Sequence, residues 1–197
     1  MTRIIAGIAG SLRLASPAKT TRPTSDRIRE SIFGRLESQG TLPNAAVLDL
    51  YAGTGALALE SLSRGSTIAV MVEMNKQAAA ICENNSWSVA RAIEKADGEG
   101  EWHVVKDSVK GFLAAKGAAM VAEQGRGFDL VFIDPPYEVT NENLIEDLTG
   151  LLPLLAADAS ILVERSSRTD EPIWPAGYIC DDRKDYGDTS VYWLNNA

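Results

Sequence analysis

The chain has 197 residues, of which 45% are hydrophobic and 23% are charged. This length and composition predict one globular domain with its own core, and no apolar run reaches the length of a membrane span. Acidic residues outnumber basic ones by 27 to 19, so the net charge of −8 argues, taken alone, against a nucleic-acid partner.

The charge is divided unevenly along the chain. Residues 1–36 carry seven basic and two acidic side chains, a net charge of +5, and the remainder carries −13. Six of those seven basic residues are Arg, whose planar guanidinium suits bidentate contacts with phosphate. Charge alone is equally compatible with a face that binds an anion and with an ordinary solvated segment.

The number of cysteines and the first residues of the sequence indicate where in the cell the protein is expected. The two cysteines, Cys82 and Cys180, are too few for a disulfide framework or a zinc cage, which predicts reduced thiols and no metal. The first residues lack an apolar region followed by a small-residue cleavage site, so secretion is not expected. These features favour a cytoplasmic protein.

The first predicted elements lie in the basic segment. Arg3–Leu14 is apolar and β-branched with two internal glycines, which predicts a short hairpin. Ala15–Pro23 contains two prolines and is predicted as a loop, after which Thr24 could cap a helix. The apolar residues of this helix recur at helical spacing: Ile28, Ile32 and Leu36.

Strands and helices alternate through the rest of the chain. The strands are predicted at Val47–Tyr51, Ile68–Val72, Trp102–Val105, Phe128–Ile133 and Ser160–Val163. The helices are predicted at Ala56–Ser63, Lys76–Arg91, Ser108 to about Ala122, and Leu144–Leu155. Two more strands are predicted within Tyr178–Leu194, around Tyr186-Gly187-Asp188. This alternation predicts an α/β fold with a mostly parallel sheet, whose ligands bind beyond the carboxyl ends of the strands.

A glycine-rich loop follows the first of these strands, in the sequence Asp49-Leu50-Tyr51-Ala52-Gly53-Thr54-Gly55. Gly53 and Gly55 allow a tight turn and a close approach of the backbone to a ligand. The helix after the loop offers free N–H groups. The same pattern also matches the dinucleotide fingerprint, which is weak evidence by itself.

Acidic residues follow the next two strands. Glu73 lies 18 residues beyond Gly55 and is favoured as an acceptor for both ribose hydroxyls of a bound nucleoside. Asp107 could accept from an exocyclic adenine amine, although capping by Asp107 or by Ser108 would explain either residue equally well. With the glycine loop, these residues predict a site for an adenosine-containing cofactor.

The tetrapeptide Asp134-Pro135-Pro136-Tyr137 follows the fourth strand. The two prolines have no N–H and fix a rigid turn. A carboxylate beside a proline carbonyl can accept both hydrogens of a planar amino group, which directs the nitrogen lone pair toward an electrophile. Tyr137 offers a flat face on which a base can stack.

At these residues the chain resembles the class I S-adenosylmethionine-dependent methyltransferases that modify exocyclic amino groups. It is more similar still to one branch, the RsmD-like methyltransferases, which methylate N2 of a guanine in small-subunit (16S) ribosomal RNA. That resemblance is carried by five stretches: Arg3–Gly7, Arg22–Glu30, GTGALALESLSRG, FDLVFIDPPY and Tyr186–Trp193. It runs from Arg3 to Leu194 and is weakest in Ser86–Glu101 and Ala114–Gly127. Relatives commonly carry several basic residues in the second hairpin strand, where Gly10–Leu14 has only Arg13.

The resemblance implies a Rossmann-like fold with a mostly parallel seven-stranded sheet, helices on both faces and an N-terminal hairpin and helix extension. It implies that residues 1–40 face RNA and that residues 41–197 form the methyltransferase domain. The cofactor-binding residues it implies are Asp49, Tyr51, Ala52, Gly53, Thr54, Gly55, Glu73, Met74, Asp107 and Ser108. The implied catalytic residues are Asp134, Pro135, Pro136 and Tyr137. The RNA-binding residues it implies are Arg3, Arg13, Arg22, Arg27 and Arg29. Arg22 and Thr24 could instead close over the cofactor carboxylate.

The resemblance also implies the reaction and its partner. Asp134 and the Pro135 carbonyl would hold a guanine flipped out of 16S ribosomal RNA, in an assembled or assembling small subunit, while a monomer is the simplest state. The alternatives within this chemistry are another RNA, DNA adenine or protein glutamine. A nicotinamide-dependent oxidoreductase would leave Asp134–Tyr137 without a role, and a non-catalytic RNA-binding module would leave Asp134 dispensable.

Overall fold

A computed structural model describes residues 2–16 and 25–196, so the predicted roles of Arg22 and Thr24 fall outside the described residues. The helices are α1 (Asp26–Ser38), α2 (Ala56–Ser63), α3 (Lys76–Lys95), α4 (Val109–Gly111), α5 (Gly117–Gln124) and α6 (Asn141–Leu151). The strands are β1 (Ala46–Asp49), β2 (Ile68–Val72), β3 (Glu101–Val105), β4 (Phe128–Ile133), β5 (Leu155–Ser166), β6 (Tyr178–Tyr186) and β7 (Thr189–Asn196). No helix in the described part of the chain is long and apolar enough to cross a bilayer.

The seven strands form one sheet in the order β3-β2-β1-β4-β5-β7-β6. The pairs from β3 to β5 are parallel, and β7 pairs antiparallel with both β5 and β6. This confirms the predicted α/β fold. The strand order reverses between β1 and β4, and a crevice at the carboxyl ends of two such strands is where ligands of open α/β sheets bind.

Helices cover both faces of the sheet. On one face, apolar side chains of α4 and α6 pack on alternate residues of the central strands, including Leu48, Val131 and Val163. On the other face, α1, α2 and α3 pack against the intervening residues. Since the central strands are buried on both sides, they have the continuous apolar character on which the prediction depended.

The N-terminal arm, residues 2–16, folds back on itself and on α2. The predicted hairpin is reduced to a single antiparallel bridge between Arg3 and Arg13. Instead of a longer ladder, the arm is held by the Glu60 carboxylate, which accepts from the N–H groups of Ile5 at 2.6 Å and Ala6 at 3.0 Å. The next helix, α1, is capped by Ser25 and not by the predicted Thr24, because the Ser25 hydroxyl accepts from the Ile28 N–H.

Several predicted boundaries differ from the structure, including those of β1, which ends at Asp49 and not at Tyr51, and of β5, which begins at Leu155 and not at Ser160. The predicted helix Leu144–Leu155 ends at Leu151, because Pro153 enters a short 3-10 turn and Leu155 already begins β5. The predicted helix from Ser108 is interrupted by a π-helical segment, Phe112–Lys116. Helix α3 continues four residues past Arg91.

Candidate active site

The loop after β1 takes the conformation that its two glycines permit. Gly55 precedes α2 with φ 83°, and Gly53 has φ 55°. A Cβ added to Gly55 would lie 2.8 Å from Cys82 Sγ, whereas one added to Gly53 would meet no described atom within 4 Å. Gly55 is therefore required by packing, and Gly53 leaves open space against which a ligand can lie.

Asp49 lies beneath this loop at the end of β1 and is only 1% exposed. Burial, with the nearby charges of Asp134 and Glu73 adding to it, raises the pKa of Asp49 to about 8, although backbone N–H groups of Ala58 and Tyr51 oppose the shift. Its Oδ1 atom has no hydrogen-bond partner among the described residues. A buried carboxyl oxygen without a partner is suited to a donor supplied by a bound molecule.

Glu73, directly after β2, is tied to the glycine loop. Its Oε2 accepts from the Gly53 N–H at 2.9 Å, and its Oε1 accepts from the Asn75 N–H at 2.6 Å. The structure therefore brings together the glycine loop and the acid that the sequence paired with it. Met74 follows with its side chain 74% exposed at the same edge of the sheet.

Asp107 and Ser108 follow β3. The Ser108 hydroxyl accepts from the Gly111 N–H at 3.0 Å and so caps α4. The Asp107 carboxylate accepts from the Ser108 N–H and forms an ion pair with Lys116 at 2.8 Å. The hydrogen bond from Lys116 is the largest of the causes that lower the pKa of Asp107, so this acid is ionised at neutral pH.

The Asp134–Tyr137 turn begins where β4 ends, one strand from the glycine loop. Asp134 is half-buried and close enough to Asp49 for its charge to raise the Asp49 pKa. Pro135 is buried, while Pro136 and Tyr137 are exposed, and the Tyr137 side chain is 75% exposed. The Pro136 carbonyl accepts from the Val139 N–H and closes the turn. A planar ligand could therefore contact Tyr137 without any rearrangement of the core.

The predicted RNA-binding arginines differ in their surroundings. Arg3, Arg13 and Arg27 are exposed. Arg29 is 1% exposed, its Nη2 donates to Asp26 at 2.7 Å and to the Arg3 carbonyl at 2.8 Å, and its Nη1 lies 3.9 Å from Glu60. The prediction that Arg29 binds phosphate is therefore wrong, because its guanidinium is enclosed and neutralised within the protein.

Two polar connections at the site were not predicted. The Tyr51 side chain, predicted only as a cofactor contact, donates a hydrogen bond from its hydroxyl to Asp147 of α6 at 2.5 Å. The pKa of Tyr51 is raised, mainly by burial and next by this hydrogen bond. On α3, Asn85 is buried and binds the Thr54 carbonyl of the glycine loop. In α3, Asn85 lies on the same buried face as the apolar residues of the helix. A polar residue at such a position was the feature of the sequence that could have indicated a buried hydrogen-bonding role.

No group of three or more His, Cys, Asp and Glu side chains in residues 2–16 and 25–196 is arranged to hold a metal ion. The fold and the site together define the class I methyltransferases. Their features are the order of the strands, the glycine loop after β1, the acid after β2 and the Asp-Pro-Pro-Tyr turn after β4.

The model of the family described as conserved hypothetical protein 95 matches residues 2–195, and the chain belongs to that family. It is 34% identical over 180 residues to ribosomal RNA small subunit methyltransferase D of Escherichia coli, covering 89% of this chain and 80% of that protein. The protein of that name from Haemophilus influenzae is 30% identical, with 87% of this chain and 81% of that protein covered. These relatives confirm the resemblance to RsmD-like methyltransferases.

Solved structures of other proteins have the same fold as this chain. The yhhF protein of Escherichia coli has a TM-score of 0.78 at 28% identity, with 99% of this chain and 97% of that chain covered. The rRNA methyltransferase aviRa of Streptomyces viridochromogenes has a TM-score of 0.67 at 16% identity, with 92% of this chain and 88% of that chain covered, and it shares the fold. The predicted Rossmann-like methyltransferase fold is thus confirmed.

Proposed function

We propose that the protein transfers a methyl group from S-adenosylmethionine to the N2 amine of a guanine in 16S ribosomal RNA. The observation that carries this proposal is the placement of the Asp134–Tyr137 turn beside the glycine loop, at the point where the strand order reverses. The names of the relatives support a small-subunit ribosomal RNA as the substrate.

The residues around the glycine loop fit this cofactor. Asp49 Oδ1 is buried without a described partner and would accept from the methionine ammonium, and the open space at Gly53 would receive the methionine backbone. Glu73 would hold the ribose, and Asp107 the adenine amine. The remaining residues that we propose line this site are Tyr51, Ala52, Thr54, Gly55, Met74 and Ser108. The cofactor would supply an electrophilic methyl carbon bound to a sulfonium.

The Asp134–Tyr137 turn would hold the target base. Asp134 and the Pro135 carbonyl would accept hydrogen bonds from the two N2–H groups, so that the nitrogen lone pair is directed at the methyl carbon. The new N–C bond would replace the C–S bond of the cofactor and one N–H bond of the amine, whose proton would be released to solvent. Because N2 of guanine is conjugated with its ring, these two acceptors favour the pyramidal nitrogen of the transition state. Pro136 would keep the turn rigid, and Tyr137, which is exposed, would stack on the base.

The exposed arginines of the N-terminal segment would bind the RNA backbone. Arg3, Arg13 and Arg27 are positioned for solvent access, and Arg22 is proposed to join them. We propose residues 1–40 as the RNA-facing extension of the methyltransferase domain formed by residues 41–197. A cytoplasmic monomer that acts on the small subunit or its assembly intermediate is the corresponding biological form.

A labelled-methyl assay tests this function. The protein and labelled S-adenosylmethionine are incubated with small ribosomal subunits from a strain that lacks the corresponding gene, and nuclease digestion identifies the modified nucleoside. We expect label in N2-methylguanosine. Label in another RNA, in DNA adenine or in protein glutamine would move the proposal to that substrate, and calorimetric binding of NAD without S-adenosylmethionine binding would reject the class of reaction.

A further inference from the structure

One buried side chain connects the N-terminal arm to the glycine loop. Asn85 lies in the middle of α3 and is 3% exposed. Its Oδ1 accepts from the Ala15 N–H at 2.8 Å, and its Nδ2 donates to the Ala15 carbonyl at 3.1 Å and to the Thr54 carbonyl at 3.0 Å. Both hydrogens of the amide are thus used, and the three partners fix which end of the amide is nitrogen.

The two residues that Asn85 contacts in this way, Ala15 and Thr54, belong to different parts of the proposed reaction. Ala15 is near the end of the N-terminal arm that carries the exposed Arg3 and Arg13. Thr54 lies between Gly53 and Gly55, in the loop to which the Glu73 carboxylate is also bonded. Ala15 is 70 residues from Asn85 in sequence, and Thr54 is 31 residues away, so no local structure holds them together.

We propose that Asn85 is a positioning residue that couples the arm to the cofactor loop, so that ordering either one favours the other. The inference rests on the proposed function, which assigns the arm to RNA and the loop to S-adenosylmethionine. A planar amide cannot move one N–H without moving the other, so a displaced Thr54 carbonyl weakens the Ala15 contact. Coupling of this kind is reciprocal: the cofactor orders the arm by the same factor as the arm strengthens cofactor binding.

The surroundings of Asn85 make this coupling energetically significant. Cys82, Ser86 and Val89 of the same helix are also buried, so water has little access to the amide. Removing the amide takes this donor from the carbonyls of half-buried Thr54 and exposed Ala15. Replacement by an apolar side chain would fill the space and still lose the coupling.

The test compares Asn85→Asp and Asn85→Ala with Asn84→Ala, whose side chain is the exposed neighbour on the same helix. Asp keeps the acceptor for the Ala15 N–H and loses both donors. We expect both Asn85 variants to bind S-adenosylhomocysteine about tenfold more weakly in calorimetry. We expect a similar rise in the KM for S-adenosylmethionine and a smaller change in kcat, with Asn84→Ala unchanged.

Hydrogen exchange gives the readout that a merely structural role would not change. In the unmodified protein, S-adenosylhomocysteine should slow exchange in residues 9–16. In Asn85→Asp that slowing should disappear, while Asn84→Ala should keep it. If the slowing is the same in Asn85→Asp and Asn84→Ala, the coupling does not pass through Asn85 and the proposal fails.

If the variants do not fold, hydrogen exchange in the unmodified protein still tests whether the arm and the cofactor loop are coupled. Absence of cofactor-dependent slowing in residues 9–16 overturns the proposal without any variant. Failure of the coupling is distinguishable from failure of the proposed function. In the first case the unmodified protein still binds the cofactor and methylates small subunits, and in the second case it does not methylate small subunits.

Discussion

Asp49 and Asp134 are two carboxylates at the same crevice with different surroundings. Asp49 is fully enclosed, and its pKa of about 8 means that it is largely protonated at neutral pH before a cation arrives. Asp134 is half-buried beside the proposed base site. We infer that Asp49 becomes an ionised partner only when an ammonium enters, whereas Asp134 acts on the target amine.

The Asp49 carboxyl should make the stability of the ligand-free protein depend on pH. Its pKa is about 8 in the folded protein and roughly 3.9 when unfolded, so the folded state binds the extra proton and this contribution is lost as pH rises from about 4 to 8. From pH 6 to 8 the free energy of unfolding should fall by about 2 kcal/mol. In denaturant titrations, Asp49→Asn should abolish the decrease in the free energy of unfolding between pH 6 and 8. The control Glu99→Gln, at an exposed position, should retain that decrease. Parallel pH profiles for Asp49→Asn and the unmodified protein would contradict the assignment.

Asp134→Asn should separate catalysis from cofactor binding. The amide presents a donor beside the target amine in place of an acceptor, so methyl transfer should fall by about 10²-fold or more. Binding of S-adenosylhomocysteine should change by less than about threefold. Glu138→Gln, a charge-matched change at an exposed neighbour, should leave both intact. Undiminished methylation by Asp134→Asn would favour a non-catalytic role for the turn.

At the scale of the loop and its helix, Gly53 and Gly55 make different contributions. Ala at position 55 would adopt a positive φ and press on Cys82 Sγ, so we expect the free energy of unfolding to fall by about 1–3 kcal/mol. Gly53→Ala would also place a side chain at a positive φ but would meet no described atom within 4 Å, so it should reduce stability less and cofactor affinity more. Denaturant titration and calorimetry on both variants check this, and an equal loss of stability in the two would contradict it.

Sequence patterns predicted the central elements because their signals are local. Phe128–Ile133 is strongly apolar apart from Asp129 and lies between Gly127 and Asp134, and the predicted strand has the observed bounds. The leucines from Leu144 onward continue at helical spacing past the true end of α6, so the start of β5 at Leu155 was assigned to a helix. Leu155 is drawn into the sheet by pairing with Phe128, a contact that no local pattern contains.

Where a motif specified residues, the sequence also predicted which of them would lie close together. The glycine loop and Glu73 meet as expected. The burial of Arg29 could not be predicted, because it depends on Glu60, which lies 31 positions away and is itself enclosed. The contacts of Asn85 likewise depend on segments brought together only by the complete fold.

For the whole molecule, the net charge of −8 coexists with a basic segment. Replacing Arg3, Arg13 and Arg27 together by Ala should lower methylation of small subunits by about tenfold or more at physiological salt and flatten its salt dependence. Cofactor affinity should change little. Lys95→Ala with Arg126→Ala, at exposed positions of the body, provides the control. Equal losses of activity and cofactor affinity in the triple variant would place this segment at the cofactor.

The attachment of the arm to Glu60 has a consequence for the order of folding. Ile5 and Ala6 reach their acceptor only after a further 54 or 55 residues have been made, and Ala15 must wait for Asn85. These contacts of the arm therefore cannot form until the chain as far as Asn85 has been made. Conversely, if residues 2–16 were removed, the buried Glu60 carboxylate would lose the hydrogen bonds from the Ile5 and Ala6 N–H groups. The proposed RNA-facing arm would thus be completed only once the helices that carry Glu60 and Asn85 have formed.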